Sequence, residues 1–196
     1  MKKITTLLVV AIMAATASQA QVQKGNVLVG GDIANFSLGL DKGSYFTVDI
    51  NPKAAWFLQD NFAAGAYVTL GLATAKNSNT QTNYGVGALA RYYLGPNQVN
   101  TESVLRHTRL FVEGTAGIEG NNISHGPSTN GLGLGIGPGV AYFITPNIGL
   151  ETLLKYNGIV GFGSAGSTNV LNLNVGFQVY LPGRATRDKV MKDSKM

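Results

Sequence analysis

The chain has 196 residues, a formal net charge of +5, no cysteine, and 13% charged against 44% hydrophobic residues. Soluble domains carry roughly 25% charged residues, yet the mean hydropathy of +0.10 is too low for a bundle of membrane helices. The absence of cysteine excludes disulfide scaffolds, thiol catalysis and cysteine-ligated metals. Residues 24–181 contain eight basic and eight acidic side chains, so the positive charge belongs to the chain ends and does not indicate a nucleic-acid partner.

The first residues have the three-part pattern of a secretory signal peptide. Lys2 and Lys3 precede an apolar run over residues 7–15, and small residues then stand before a cleavage site at Gln21. The alternative is a membrane anchor, but the run is shorter than the ~20 residues that a spanning helix needs. We therefore predict that residues 1–20 are a signal peptide and that the protein is exported.

Apolar and polar residues alternate with a period of two through most of the remaining chain. In the last such segment Leu171, Leu173 and Val175 share one parity and Asn172 and Asn174 the other, which is typical of a strand with one apolar face. Short connectors rich in turn-forming residues favour antiparallel neighbours. The predicted strands lie near residues 26–38, 45–58, 62–74, 83–95, 108–119, 131–144, 147–162 and 169–181.

The alternation does not say which face is inside. A soluble, lipocalin-like barrel would place the apolar face inward and carry many charges outside. Here the other face is mostly Gly, Ala, Asn and Thr, which suits a crowded lumen better than bulk water. The strands are also long enough to cross a bilayer, which takes ~9–11 tilted residues. Aromatic residues of the apolar face lie toward strand ends, as in the interfacial girdles of membrane barrels: Phe46, Trp56, Phe62, Tyr84, Tyr92, Tyr142 and Phe162.

These features together resemble the small bacterial outer-membrane β-barrel family of the OmpA and OmpX type. The last strand is similar to the signal that the outer-membrane assembly machinery reads in that family, with Asn174, Gly176, Val179 and Leu181 at the matching positions. The resemblance implies an all-β fold, an eight-stranded antiparallel up-and-down transmembrane β-barrel, in the bacterial outer membrane. It also implies contact with outer-membrane lipid and lipopolysaccharide.

The resemblance implies how the chain is divided and oriented. Residues 21–181 would form the barrel domain, and residues 182–196 would form a short basic tail in the periplasm. Counting from there, the connectors at 39–44, 75–82, 120–130 and 163–168 would face outside, and those at 59–61, 96–107 and 145–146 the periplasm. The connector at 96–107 is longer than the inner turns of the family. The first strand, with Gly30 and Gly31, is the least regular, and we predict a bulge there.

Charged residues on the lumen side are predicted to pair, because the interior of an eight-stranded barrel is just wide enough for side chains to fill. Counted from the inner rim, two basic and two acidic residues form one layer: Lys53, Arg91, Glu113 and Glu151. Three more form a second layer: Asp32, Asp49 and Lys155. Arg91 and Glu113 stand on consecutive antiparallel strands and are the best candidates for direct contact. The charges predict a structural plug, with an ion gate or proton path as the alternative.

Other chemistry finds little support. The run Gly133-Leu134-Gly135-Ile136-Gly137 belongs to a strand, whereas a phosphate-binding loop opens a helix. His107 and His125 are the only histidines, and we expect no metal or cofactor. Some outer-membrane barrels modify lipid A with His and Ser at the outer rim. The only comparable set here is His125, Ser124 and Glu119, which we interpret as a surface loop.

The leading hypothesis is a non-enzymatic barrel that supports envelope integrity and has a side-chain-filled lumen. The alternatives are a narrow pore or a barrel that binds small solutes or a surface partner. A lipid A-modifying enzyme is the weakest of these hypotheses. The sequence does not predict an oligomeric state.

Overall fold

A computed structural model describes residues 22–38, 45–75, 79–95, 108–124, 128–162 and 167–183. The predicted signal peptide, most of the predicted tail and both histidines lie outside the described residues. So does the whole of the long connector at 96–107.

Eight strands form one closed antiparallel barrel in which each strand pairs with its neighbours in chain order and β8 pairs with β1. No helix of the described residues is long and apolar enough to span a membrane. The eight predicted strands are confirmed. Their bounds are β1 Val27–Leu38, β2 Tyr45–Gln59, β3 Phe62–Ala75, β4 Gln81–Tyr93, β5 Thr108–Ile123, β6 Ser128–Thr145, β7 Ile148–Gly161 and β8 Ser167–Leu181.

The hairpin of β5 and β6 extends further than the sequence predicts. Its last pair joins Asn122 to Ser128, so most of the predicted outer connector at 120–130 is strand, and that prediction is wrong. Asn and Gly in this stretch suggested a turn. In the barrel the Asn121 side chain lies on the lumen side and donates to Asn83 Oδ1 of β4 at 2.8 Å. Residues that usually form turns therefore extend β5 and β6 here, and Asn121 adds a polar side chain to the lumen.

The bulge of β1 is present, but not at the two glycines. Gly30 and Gly31 pair regularly on both sides, and the register with β2 shifts between Ala34 and Ser37. At Gly30 a Cβ atom would collide with the neighbouring Gln178. Glycine is therefore needed at this position for close approach rather than for a bulge.

The two faces of the wall have opposite character. On β8, Leu171, Leu173 and Phe177 are exposed on the outside, whereas Asn174 and Gln178 are buried in the lumen. Exposed apolar side chains cover the outside of every strand with few interruptions. A belt of this size exceeds what soluble monomers expose, and a closed barrel is the β structure that satisfies its backbone in lipid. The prediction that the apolar face points outward is confirmed.

The residues before β1 close one end of the barrel. Val22 is buried among the aromatic side chains of the lumen, and its carbonyl accepts a hydrogen bond from Asn61 N at 2.7 Å. Asn26 Oδ1 accepts from Gly183 N at 3.0 Å, which ties the segment before β1 to the residues after β8. We call the end that holds Val22 and Gly183 the inner end, and the opposite end the outer end.

Candidate functional site: the barrel lumen

An ion pair between adjacent strands lies at the centre of the inner half of the lumen. Arg91 of β4 stands directly opposite Glu113 of β5 in the register. Arg91 Nη2 and Nε donate to Glu113 Oε2 at 2.6 and 3.1 Å. Each residue is only 1% exposed. Arginine suits this position because its fork of donors serves more than one acceptor at a time.

Further charges extend the pair into a network. Arg91 Nη1 also binds Glu151 of β7, with N–O distances of 2.7 and 2.8 Å. Lys53 Nζ of β2 lies 3.2 Å from Glu113 and forms a second ion pair with Asp32 of β1. The structure thus brings together the first four residues of the predicted set across four strands of the barrel.

The division into two layers is not what the structure has. Asp32 pairs with Lys53, and Lys155 Nζ lies 3.7 Å from Glu113, so both join the first group. Asp49 Oδ1 accepts from Asn83 Nδ2 of β4 at 3.3 Å. The position of a residue along its strand predicts only the height of its Cα atom in the barrel. A long lysine side chain can contact a carboxylate that starts from a different height. We call the six joined residues the ion network: Asp32, Lys53, Arg91, Glu113, Glu151 and Lys155.

An aromatic cluster fills the lumen between the ion network and the inner end. The Tyr180 hydroxyl donates to Glu151 Oε1 at 2.6 Å and lies 2.8 Å from the Tyr93 hydroxyl. Arg91 Nη1 donates to Tyr93 at 3.0 Å, and the guanidinium carbon lies 4.1 Å from the Phe111 ring centroid. Cation–π contact of this kind favours a desolvated arginine. The rings of the cluster are Phe57, Tyr93, Phe111, Phe143 and Tyr180.

Sequence reasoning did not assign these rings to the lumen. The period of two would have been enough to assign them, because Tyr93 and Phe111 each lie two residues from an inward-facing charge, Arg91 and Glu113.

A tyrosine crosses the lumen above the ion network. The Tyr67 hydroxyl of β3 donates to Glu119 Oε1 of β5 at 2.8 Å, and Lys155 Nζ lies 5.3 Å from the Tyr67 ring centroid. The ring passes over Gly87 and Gly117, where Cβ atoms would stand 2.7 and 2.8 Å from Tyr67 atoms. Glu119 was predicted to lie with Ser124 and His125 on a surface loop. That placement is wrong for Glu119, which faces the lumen within β5.

Among the side chains that the structure describes, amides and glycines line the outer half of the lumen. Asn83 Oδ1 accepts from Asn121 at 2.8 Å and from Gln81 at 3.2 Å, and Asn83 Nδ2 donates to Asp49. Asn83, Gln81 and Asn121 are each only partly buried, in contrast to the residues of the ion network. Glycine occupies inward positions of β4, β5 and β6 over the same height.

Two solved structures share this architecture. Neisserial surface protein A matches over 79% of this chain and 95% of that chain, with a TM-score of 0.52 and 20% sequence identity. The outer membrane protein OprG from Pseudomonas aeruginosa matches over 83% and 98%, with a TM-score of 0.51 and 11% identity. The fold is that of the eight-stranded outer-membrane β-barrels. No family model and no curated protein matches the sequence.

The outer-membrane barrel fold confirms the predicted fold class. The exposed apolar belt agrees with the predicted location in a bacterial outer membrane. The four residues of the predicted assembly signal divide between the two faces of β8. Asn174 and Gly176 are buried in the lumen, and Asn174 Nδ2 donates to Asp32 Oδ2 at 2.8 Å. Val179 and Leu181 belong to the outer face.

Candidate catalytic groups do not gather within the described part of this outer-membrane barrel. Ser124 is exposed just after β5, and Glu119 is engaged by Tyr67 inside the lumen. His125 lies outside the described residues. Among the described residues, no three His, Asp or Glu side chains form a group that could hold a metal ion.

Proposed function

We propose that the protein is a non-enzymatic outer-membrane barrel that supports envelope integrity and whose lumen does not conduct. The observation that carries the proposal is the continuous plug in the inner half, where the ion network rests on the aromatic cluster. Arg91, Glu113 and Tyr180 are each at most 1% exposed. Water has almost no access to these three side chains, which supports a lumen that does not conduct.

The chemistry of the plug supports a structural role over a pore. The ion network contains three cations and three anions, joined by the ion pairs described above. Removing one partner from such a buried group leaves an uncompensated charge, which costs about 3–5 kcal/mol. A conducting path would have to break several of these contacts together and would also have to displace the tyrosine rings beneath them.

Conductance in planar bilayers tests the plug. The purified barrel is expected to give no steady single-channel current. A variant with Tyr93→Gly and Tyr180→Gly, which removes two rings of the aromatic cluster, is the matched positive control if it retains heat-modifiable migration. Steady currents from the unaltered protein would overturn the proposal in favour of a narrow pore.

The envelope role has its own readout in cells. Deletion of the gene is expected to raise sensitivity to detergent and large antibiotics, and expression of the intact chain is expected to restore resistance. Unchanged lipid A after deletion would agree with a non-enzymatic protein. Altered lipid A acylation that the intact chain reverses would contradict it.

The proposed surroundings are outer-membrane lipid and lipopolysaccharide against the apolar belt, with the assembly machinery as the partner during insertion. Leu181 of the proposed assembly signal is 46% exposed on the outer face. A Leu181→Ser variant is expected to reduce the folded barrel in outer-membrane fractions, whereas Leu150→Ser, equally exposed on β7, leaves it largely unchanged. Equal losses from both variants would refute a role of β8 as the signal.

A further inference from the structure

A tyrosine lies against the outside of the wall in the outer half of the barrel. Tyr84 of β4 is paired with Gly120 of β5, which is paired in turn with Asn130 of β6. A Cβ atom at Gly120 would stand 2.6 Å from both Cε2 and Cζ of the Tyr84 ring. Gly120 is buried, although its position belongs to the outer face. Glycine at this position therefore lets the ring lie against the backbone of β5.

The hydroxyl group of this tyrosine is held by the next strand. The Tyr84 hydroxyl donates to Asn130 Oδ1 at 2.7 Å, and Asn130 is exposed. Because Asn130 accepts this bond with its oxygen, its amide nitrogen remains a donor for a ligand. The Tyr84 side chain is fixed at its hydroxyl group and against Gly120, yet it is 40% exposed. The ring is therefore a preorganised surface, which lowers the cost of ordering it on binding.

Polar side chains continue from this tyrosine toward the outer end. The next outward-facing residues on the same three strands are Thr82, Asn122 and Ser128, which are aligned in the register and exposed. We call these three residues, together with Tyr84 and Asn130, the polar patch. Its hydroxyl and amide groups both donate and accept hydrogen bonds. The polar patch therefore combines one exposed aromatic ring with neutral hydrogen-bonding groups.

Apolar side chains border the polar patch on two sides. Toward the inner end, the next outward-facing residues of the same strands are Val86, Ile118 and Leu132, which are 59%, 59% and 43% exposed. On β3 the two residues that pair with the polar patch are Leu70 and Leu72, and both are exposed. The polar patch is therefore a local feature at the edge of the apolar belt, next to side chains that face lipid.

The chemistry of the polar patch fits a saccharide that carries an alkyl chain. A sugar ring has C–H groups on its faces, which pack on an aromatic ring, and hydroxyl groups on its edge, which match amide and hydroxyl side chains. An alkyl chain attached to the sugar would continue along the apolar residues toward the inner end. A soluble sugar has no group that matches those apolar residues, so the combination favours a glycolipid of the membrane over a free saccharide.

We propose that the polar patch binds the saccharide head group of a glycolipid in the surrounding membrane. The sugar ring packs on Tyr84, its hydroxyl groups bind Asn122 and Asn130, and an alkyl chain packs along Val86 and Ile118. The proposal rests on the proposed lipopolysaccharide surroundings and deepens them, because it names the surface that recognises the head group. The polar patch lies outside the wall, so this binding does not depend on whether the lumen conducts.

Titration of the isotope-labelled barrel in phospholipid nanodiscs tests the polar patch. The probes are dodecyl maltoside, octaethylene glycol monododecyl ether, which has the same alkyl chain and no sugar, and free maltose. Dodecyl maltoside is expected to shift the amide resonances of residues 82–86 and 118–122 until they saturate, and its sugar protons should show nuclear Overhauser effects to the Tyr84 ring. The affinity for the ether should be at least about tenfold weaker, a difference of one or two hydrogen bonds.

The three probes separate the possible outcomes. Equal affinities for dodecyl maltoside and the ether, or shifts spread around the belt, would overturn recognition of the sugar. Free maltose that bound as tightly as dodecyl maltoside would overturn a membrane glycolipid as the occupant. Either failure would concern the polar patch alone and would leave the proposed non-conducting lumen to its own test in planar bilayers.

A pair of tyrosine variants tests the contact with the ring. Tyr84→Leu removes the aromatic ring but keeps an apolar side chain, and it is expected to weaken dodecyl maltoside binding about tenfold. Tyr156→Leu changes another exposed tyrosine, on the outside of β7, and is expected to leave the affinity unchanged. Equal affinities for both variants would refute the contact. Heat-modifiable migration checks that each variant folds.

A pair of glycine variants tests the position of the ring while every group of the polar patch stays in place. Gly120→Ala puts a Cβ atom where the Tyr84 ring lies and is expected to weaken dodecyl maltoside binding by about threefold or more, because the ring loses its fixed position. Gly114→Ala on the same strand meets nothing nearer than 4.0 Å and is expected to leave the affinity unchanged. Equal affinities for the two variants would overturn the proposal that the sugar packs on a ring held against β5.

Discussion

The inner and outer halves of the lumen solve the same packing problem in opposite ways. In the inner half, large side chains fill the space, and their charges and hydroxyl groups satisfy one another, as Arg91 does with Glu113, Glu151 and Tyr93. In the outer half, glycine and asparagine leave the lumen partly open to solvent. The difference indicates that stability is concentrated in the inner half.

The strand pairing that closes the barrel, between β1 and β8, also lies in the inner half. The backbone pairs between β1 and β8 join Val27–Ile33 to Val175–Leu181, beside the plug. Asp32 and Asn174 mark the boundary, because their side chains join β1 to β8 next to the last backbone pairs. The plug therefore also holds the two ends of the sheet together, since Asp32 belongs to the ion network.

The largest effect should come from removing the shared anion of the plug. Glu113→Ala takes away the carboxylate that Arg91, Lys53 and Lys155 surround. We expect the free energy of unfolding, measured by urea titration in lipid vesicles, to fall by about 3–5 kcal/mol because buried cations lose their counter-ion.

The matched substitution in the outer half is Glu119→Ala. Glu119 is partly exposed and accepts one hydrogen bond, from Tyr67. Water can replace that bond, so the loss should be about 1 kcal/mol. If the two variants lost the same stability, the contrast between the halves would be wrong.

A second test removes one hydroxyl from the aromatic cluster. Tyr180→Phe deletes the donor to Glu151 and the contact with Tyr93 while keeping the ring. Hydrogen bonds to charged groups contribute about 1.5–3 kcal/mol, and this loss is expected in the same titration. Tyr92→Phe is the control, because Tyr92 is exposed on the outer face and should show almost no change. A silent Tyr180→Phe would show that the hydroxyl network does not stabilise the plug.

A third test concerns Gly117, one of the two glycines against which the Tyr67 side chain packs. A Cβ atom at Gly117 would stand 2.7 Å from Gly87 Cα and 2.8 Å from the Tyr67 hydroxyl. Gly117→Ala should therefore cost about 1–3 kcal/mol through overpacking. Gly114 lies on the same strand, and a Cβ atom there would meet nothing nearer than 4.0 Å, so Gly114→Ala should be neutral. Equal losses of stability in the two variants would mean that the strand propensity of the residue, rather than its packing against Tyr67, determines the loss.

Much of the fold could be predicted from the sequence, because a hydrophobic period of two indicates both the strands and the residues that face lipid. The alternation along β8 predicted both the strand and its outward apolar face, and parity placed Arg91 beside Glu113. The bulge position and the length of the β5–β6 hairpin were not predictable in this way. They depend on contacts across strands, such as Gln178 against Gly30 and Asn121 with Asn83. Local turn propensity misreads such contacts.

The grouping of the lumen charges was predictable only in part. Residue counts separated Lys53 and Asp32 into two layers, whereas Lys53 contacts both Asp32 and Glu113, which counts along single strands do not predict. Glu119 was misplaced for a related reason. Asparagines and glycines after it suggested a loop, and the strand in fact continues to Ile123.

The smallest effect should come from the hydrogen-bonded amide side chains of the outer half, which are Gln81, Asn83 and Asn121. Asn121→Ala removes the 2.8 Å hydrogen bond to Asn83, whose oxygen still accepts from Gln81 at 3.2 Å. Because the site is partly exposed, water can take the vacated place, and we expect a loss of about 0.5–1 kcal/mol in the urea titration. Asn122→Ala, one residue along on the outer face, should change less still. A loss from Asn121→Ala as large as that from Glu113→Ala would show that the outer half contributes as much to stability as the inner half, and would contradict the contrast between them.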